Sequence, residues 1–181
     1  MATKRVLLLL APGFEEIETI TPIDILRRAG AEVVVAAVNG ENFVTGRCNV
    51  TIHTDAALDD VENQSFDLLI IPGGPGVAGL RKDGRPATLA KTFFSAGKPI
   101  GAICAAPTVL ADAGLLEGKK FTAHFSVYGE LTEALPAERV VESGQIITSR
   151  GAGTAVDFSL ALVKKLFGPT AAKEVSEAIM A

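Results

Sequence analysis

Cys104 is the residue of this chain whose position best suits covalent chemistry. It directly follows the apolar segment 98–103, and Pro107, which suits the first turn of a helix, stands three positions later. A thiol at such a corner faces unsatisfied N–H groups and the positive end of the helix dipole, which favour the thiolate. The pattern predicts a nucleophile elbow with backbone amides as an oxyanion hole. The alternative is a structural cysteine, because free cysteine is among the most buried residue types.

A nucleophilic sulfur needs neighbours that hold and move protons, and two residues are candidates. His124 ends segment 119–124, a predicted strand, so we expect it at the same sheet edge as Cys104; an ordinary loop histidine is the alternative. Glu18 lies among apolar residues one turn into a predicted helix and could point inward. Burial and a nearby thiolate would then raise its pKa and keep it protonated. A solvated carboxylate is the alternative for Glu18.

Two other patterns are weaker. Residues 74–79, "GPGVAG", match the Gly-x-Gly-x-x-Gly pattern of dinucleotide sites, but Pro75 removes an amide and no acidic residue follows about 20 positions later. We therefore predict a tight loop that exposes the amides of Gly73 and Gly74. The two histidines and two cysteines have no metal-ligand spacing, so we expect no metal.

The elements that must position these residues alternate along the chain. Predicted strands cover 5–11, 31–38, 66–74, 98–103 and 119–124, with a hairpin in 43–54 and a strand pair in 139–149; predicted helices cover 15–30, 86–97, 106–116 and a region from 153 onward. Strands joined by helices predict a mostly parallel sheet with helices on both faces, in one domain over 1–181. In such sheets, sites lie beyond the carboxyl ends of the strands.

The composition of the chain argues against nucleic-acid binding and against a membrane-spanning protein. The 181 residues are 48% hydrophobic with a net charge of −4, which argues against stable nucleic-acid binding. No apolar run approaches the ~20 residues of a membrane span, and the apolar start after Arg5 fits a core strand better than a signal peptide. Cys48 and Cys104, which show no paired spacing, predict a reducing, cytoplasmic location.

Four segments together resemble the ThiJ/PfpI superfamily: "GFEEIETITPIDILRRAG", "LLIIPGG", "GAICAAPTVLADAGLL" and "ITSRGAGT". The similarity extends over essentially the whole chain and is greatest to the branch of the Parkinsonism-associated protein deglycase and its YajL-like bacterial relatives. The resemblance implies a flavodoxin-like three-layer αβα sandwich that forms a homodimer and needs no cofactor.

The resemblance also implies roles for individual residues. Cys104 matches the nucleophile, Glu18 the protonated glutamate beside it, and His124 a histidine that some members use with them. The remaining matched positions are the oxyanion-binding amides of Gly74 and Ala105 and two arginines that could bind anions, Arg47 and Arg150.

The implied activity is that of a cysteine enzyme acting on reactive dicarbonyls. It would convert methylglyoxal to lactate, as a glyoxalase III does, or remove glyoxal-derived adducts from proteins and nucleotides. An oxidation-sensing or chaperone-like stress protein, with Cys104 oxidised to sulfinate, is the alternative. The protease activity of more distant members fits less well, because nothing indicates a peptide groove. The chain departs from the branch at His53, where some animal members have a cysteine, and at Ala152, which replaces a proline.

Overall fold

The computed structural model describes residues 3–181, which build a seven-stranded sheet covered by helices on both faces. The strands of this sheet are β1 (Arg5–Leu10), β2 (Glu32–Ala37), β5 (Ala56–Ala57), β6 (Leu68–Ile71), β7 (Ile100–Ile103), β8 (Val140–Ser143) and β9 (Ile146–Ser149). A separate hairpin consists of β3 (Phe43–Thr45) and β4 (Thr51–His53). The helices are α1 (Glu16–Arg28), α2 (Leu58–Val61), α3 (Val77–Asp83), α4 (Arg85–Ser95), α5 (Pro107–Asp112), α6 (Ala155–Phe167) and α7 (Pro169–Ala178).

The strand order is β5-β2-β1-β6-β7-β9-β8, and every neighbouring pair is parallel except β8 with β9. The mostly parallel, flavodoxin-like sheet expected from the sequence is therefore confirmed. The carboxyl ends of β1, β6, β7 and β9 meet at one edge, which brings together the loops that follow Leu10, Ile71, Ile103 and Ser149.

The central strands are buried on both faces, which explains their nearly continuous apolar sequences. In β1, Leu7 and Leu9 face one core with helices α2 to α5, whereas Leu8 and Leu10 face a second core with α1, α6 and α7. Side chains of a strand point alternately to its two faces, so an unbroken apolar run can fill both cores. The sheet, with one layer of helices on each of its faces, therefore forms a three-layer structure.

One predicted strand is wrong. Residues 119–124 form no strand, because β9 already occupies the hydrogen-bonding edge of β7 on that side. The segment is held instead by separate bonds, including those from the Thr122 amide to the Thr148 hydroxyl (2.9 Å) and from the His124 amide to the Cys104 carbonyl (2.8 Å). His124 nevertheless lies at the expected edge.

The other differences concern short elements. Helix α3 begins within the segment that we predicted to be a tight loop, and α2 and β5 were not predicted. Helix α5 ends at Asp112 rather than near 116. Among residues 3–181, no helix is both long enough and apolar enough to span a bilayer.

Close packing of β7 against α6 leaves no room for a side chain at Gly101, and this can be tested by substitution. A Cβ at this position would lie 2.9 Å from side-chain atoms of both Leu162 and Phe158. We expect Gly101→Ala to lower the free energy of unfolding by about 1–3 kcal/mol, because overpacking displaces buried side chains. Gly79→Ala is the matched control: it meets nothing within 4 Å in helix α3 and should stabilise by about 0.5–1 kcal/mol. Urea denaturation measures both, and equal effects would contradict the packing argument.

Candidate active site

Cys104 occupies a strained corner directly after β7. Its φ of +67° is a left-handed conformation that non-glycine residues rarely adopt. The backbone is fixed on both sides, because the Cys104 amide donates to the Ser149 carbonyl (2.8 Å) and the Cys104 carbonyl accepts from the His124 amide (2.8 Å). The neighbouring strand and segment therefore hold the corner in place, as a nucleophile elbow requires. Cys104 as a whole is 8% exposed.

Glu18 is buried against this corner at 1% exposure. The Glu15 carboxylate caps α1 by accepting from the Glu18 amide (2.8 Å), which fixes the first turn and turns the Glu18 side chain inward. There its Oε2 accepts from the Gly73 amide (3.0 Å), and its carboxyl lies close to the Cys104 side chain. Burial raises the pKa of Glu18 to about 7; the charge of Glu15 adds to the rise, and hydrogen bonding by Cys104 and the Gly73 amide opposes it.

Gly73 makes this contact possible. A Cβ at this position would overlap the Glu18 carboxyl and lie 2.5 Å from the Cys104 Cβ. Only a glycine therefore allows the two side chains to meet beside the loop that follows β6. The sequence prediction that the Gly73 amide is exposed is wrong, because Glu18 occupies it.

The pKa of the Cys104 thiol shifts in the direction opposite to the one that the sequence predicted. Its burial, the charge of Glu18 and their hydrogen bond raise the pKa of Cys104 to about 12, while the amides of Gly74 and Ala105 lower it. Backbone amides alone predicted a lowered pKa, but desolvation and the adjacent carboxylate outweigh them. Burial raises the pKa of both acids, and the charge of Glu18 raises that of Cys104 further, so the pair retains a proton at neutral pH. A thiolate forms here when that proton resides on Glu18.

The amides of Gly74 and Ala105 point at the sulfur and lower its pKa by hydrogen bonding. Gly74 has a φ of +92°, and a Cβ there would lie 2.6 Å from backbone atoms of Gly13 and Glu15. Such close packing of the loops after β1 and β6 aims the Gly74 amide at the corner. Two amides converging beside a nucleophile are the arrangement that stabilises a developing oxyanion.

The His124 imidazole reaches the same cavity but makes no hydrogen bond to the Cys104 sulfur among residues 3–181. Its Nδ1 lies 2.8 Å from the Ser126 hydroxyl and accepts from the Ser126 amide (3.3 Å). Burial, with the charge of Arg47, lowers the pKa of His124. Gly151 separates it from Glu18, since a Cβ at 151 would lie 3.4 Å from the imidazole Cδ2 and 3.9 Å from Glu18 Oε1. A proton-transfer role for His124 remains a prediction.

A cavity of about 470 Å³ opens over the sulfur. Residues lining it include Cys104, Gly74, Ala105, His124, Arg47 and Phe125. Arg150 lines a second cavity of about 590 Å³, which shares His124 and Phe125 with the first. The sequence analysis missed Arg81 and Phe125 as lining residues: Arg81 lies in the unpredicted helix α3, and Phe125 in a 3₁₀ turn (Phe125–Val127).

The described residues provide neither a cluster of metal ligands nor free amides at Gly76 and Gly79 for a dinucleotide phosphate. No group of three or more His, Cys, Asp or Glu side chains within 3–181 could hold a metal ion. In the glycine-rich segment, the Gly76 amide donates to the Gly13 carbonyl (3.0 Å), and the Gly79 amide donates to the Gly76 carbonyl (2.9 Å). Both amides are therefore already bonded within the protein.

Known proteins are similar to this chain in sequence and fold. The family model described as "DJ-1/PfpI family" matches residues 4–165. An Arabidopsis thaliana protein, "Protein DJ-1 homolog B", is 39% identical over 98% of this chain, which spans only 41% of that protein. The Caenorhabditis elegans "Glutathione-independent glyoxalase DJR-1.2" is 41% identical, with 93% of this chain and 91% of the relative covered. The crystal structure of Drosophila melanogaster DJ-1beta superimposes with a TM-score of 0.94 at 36% identity, covering 99% of both chains.

The raised pKa of Glu18 makes a prediction about stability. Its pKa is 4.5 in the unfolded chain and about 7 in the folded protein, so the folded state holds the extra proton between these values. The contribution of Glu18 to the free energy of unfolding is therefore full below pH 4.5 and is lost as pH rises through 7. Glu18→Gln should remove this dependence and gain up to about 3 kcal/mol relative to wild type above pH 7.

Chemical denaturation from pH 4.5 to 8 measures the effect, with Glu174→Gln, an exposed carboxyl on α7, as the control. The argument fails if the difference between Glu18→Gln and wild type does not change with pH.

Proposed function

Since this chain belongs to the DJ-1/PfpI family, we propose that it is a cofactor-independent cysteine enzyme acting on reactive dicarbonyls, with Cys104 as the nucleophile. Within one ThiJ/PfpI-type domain over 1–181, it converts methylglyoxal to lactate, and the same attack removes aldehyde-derived adducts from proteins and nucleotides. The observation that carries the proposal is the buried contact between the Glu18 carboxyl and Cys104, which converge beside Gly73 at the floor of an open cavity. A relative named as a glutathione-independent glyoxalase supports the choice of reaction.

The first step is addition of sulfur to the aldehyde carbon. The Cys104 proton moves to Glu18, the thiolate forms a C–S bond, and the carbonyl oxygen becomes an alkoxide. The amides of Gly74 and Ala105 stabilise this charge, and Glu18 returns the proton to give a hemithioacetal. Because Glu18 has a pKa of about 7, it can both accept and donate this proton near neutral pH.

The second step moves hydrogen within the bound substrate. Glu18 removes the proton from the carbon bearing sulfur, which gives an enediol, and a proton then returns to the neighbouring carbon. His124, which lines the same cavity, assists this transfer. The product is a 2-hydroxyacyl thioester, which water hydrolyses to lactate while Cys104 regains its proton. No external oxidant or reductant is consumed.

Sensing of oxidation by Cys104 is the second candidate function, and the hydrogen-bond donors around the sulfur favour it. The amides of Gly74 and Ala105 and a protonated Glu18 surround the sulfur, and they would hydrogen bond to the oxygens of a sulfinate. Selective oxidation of Cys104 without turnover would support this role in stress protection.

The proposal includes a homodimer in a reducing, cytoplasmic compartment. Ile20 (43% exposed), Val156 and Met180 expose apolar surface along one groove between α1 and the C-terminal end of the chain. A second copy of the chain would bury this surface. Both cysteines are free thiols, which suits a reducing compartment.

Loss of Cys104 should abolish turnover. We expect Cys104→Ser to lower kcat/KM for lactate formation from methylglyoxal by about a thousandfold or more, because a serine hydroxyl beside Glu18 is a far weaker nucleophile. Cys48→Ser, which removes the exposed cysteine, should leave the rate unchanged. Enzymatic assay of D- and L-lactate measures both. A wild type no faster than Cys104→Ser contradicts the proposal, and peroxide treatment with mass spectrometry then tests the sensing role.

The proposed dimer depends on the apolar groove. Ile20→Glu buries a charge in the expected interface and should shift the protein from dimer to monomer in light scattering after size-exclusion chromatography. Thr88→Glu adds the same charge on the exposed surface of α4, in the opposite helical layer, and should leave the dimer intact. A monomeric wild type would contradict the dimer.

A further inference from the structure

Arg81 is bound by two carboxylates that come from different parts of the chain. Its Nε and Nη2 donate to the two oxygens of Asp112 (2.7 Å each), and its Nη1 and Nη2 donate to those of Glu130 (2.9 and 2.6 Å). A paired contact between a guanidinium and a carboxylate fixes direction as well as distance. The two paired contacts therefore fix three backbone segments relative to one another.

Two of these segments are helices that start beside the sulfur. Helix α3 begins at Val77, shortly after Gly74, and has Arg81 in its last turn. Helix α5 begins at Pro107, shortly after Ala105, and ends at Asp112. The amides of Gly74 and Ala105 are the two that point at the sulfur. The contact between Arg81 and Asp112 therefore joins, at their far ends, the two helices that follow these amides.

The third segment leads from His124 to Glu130. It is a series of tight turns, because the Val127 amide donates to the His124 carbonyl (3.1 Å) and the amides of Glu130 and Leu131 donate to the Val127 carbonyl (3.1 and 2.8 Å). The contact between Glu130 and Arg81 therefore holds the segment that places the imidazole at the cavity.

Arg81 lines the cavity over Cys104, but its own donors are largely used. A guanidinium has five N–H groups, and the bonds to Asp112 and Glu130 occupy four donor positions of Arg81. Little remains for a ligand. All three side chains are also partly exposed, and exposed ion pairs contribute little to stability. The placement of the joined segments is therefore the main effect of this network.

We propose that Arg81 is a positioning residue for the reaction at Cys104. Its contacts hold α3 and α5 in the relative orientation in which the amides of Gly74 and Ala105 converge on the sulfur. The catalytic part of this inference rests on the proposed function. Donors stabilise a developing oxyanion only when they are already in place, and a small displacement weakens them. Loss of the network should therefore slow the chemical step more than it weakens substrate binding.

Kinetics with methylglyoxal test the catalytic part. We expect Arg81→Met, which removes every donor, to lower kcat about tenfold to a hundredfold while KM changes by less than about twofold. Arg81→Lys keeps the charge but lacks the paired donors, so it should recover only a small part of kcat. Full recovery in Arg81→Lys would contradict the proposal, since the charge alone would then suffice.

Arg5→Met is the matched control. The Arg5 side chain is 31% exposed, against 33% for Arg81, and it also makes several hydrogen bonds, to Glu32, Gln64 and the Ser65 carbonyl. Arg5 begins β1, however, and so lies at the sheet edge opposite to the site. Its substitution should leave kcat unchanged, and an equal loss of kcat in both variants would overturn the proposal.

Hydrogen exchange followed by NMR tests the positioning without any turnover. In Arg81→Met, the amides of Gly74 and Ala105 should exchange at least about tenfold faster than in wild type, relative to the buried amides of β1, which report global unfolding. Asp112→Asn, which weakens only the contact between α3 and α5, should show the same selective change. Arg5→Met should not.

The two measurements separate this inference from the proposed function. If wild type forms no lactate but the selective exchange occurs, the proposed function is wrong and the positioning of the two amides by Arg81 stands. The inference is overturned if Arg81→Met keeps the kcat of an active wild type, or if Gly74 and Ala105 exchange no faster relative to β1.

Discussion

The buried contact between Cys104 and Glu18 governs the arrangement of this protein around its cavity. Two acids buried side by side cannot both be charged, since desolvation and mutual repulsion oppose the second ionisation. Burial raises the pKa of Glu18 to about 7, so the proton shared by the pair is readily exchanged at neutral pH. A group with this pKa serves equally as acid and base. Burial of the carboxyl costs stability, which is the usual relation between function and stability at an active site.

The fold meets this constraint through the convergence of strand ends. Glu18 comes from the helix after β1, the glycines 73 and 74 follow β6, and Cys104 follows β7. Parallel strands in register bring these three loops to one edge, and the left-handed Cys104 is held there by bonds to Ser149 and His124. Cys104 keeps its strained left-handed conformation because these hydrogen bonds fix the backbone on both sides of it. Every part of the site therefore depends on the register of the sheet.

The cavities near Cys104 are lined by basic residues, although the chain as a whole is acidic. The chain is acidic overall, yet the lining of the cavity over the sulfur, and that of the neighbouring cavity which shares His124 and Phe125, contain arginines and a histidine but no carboxylate. Low-dielectric walls concentrate such a field at the cavity mouth and attract anions. The buried Glu18 carboxyl at the floor has a pKa of about 7, so it opposes this attraction progressively as the pH rises through 7.

The sequence by itself determined the layered sheet, because its unbroken apolar strands and alternating helices permit few other arrangements, and the resemblance to the DJ-1/PfpI family is confirmed. It also selected Cys104, Glu18 and His124 by their positions relative to predicted strand ends. Tertiary structure decided what local pattern cannot carry: that residues 119–124 pair with no strand, that Glu18 occupies the Gly73 amide, and that Arg150 lies in a second cavity. It also reversed the expected pKa shift of Cys104, because a pKa depends on desolvation and on charges distant in the chain, which meet only when the loops pack together.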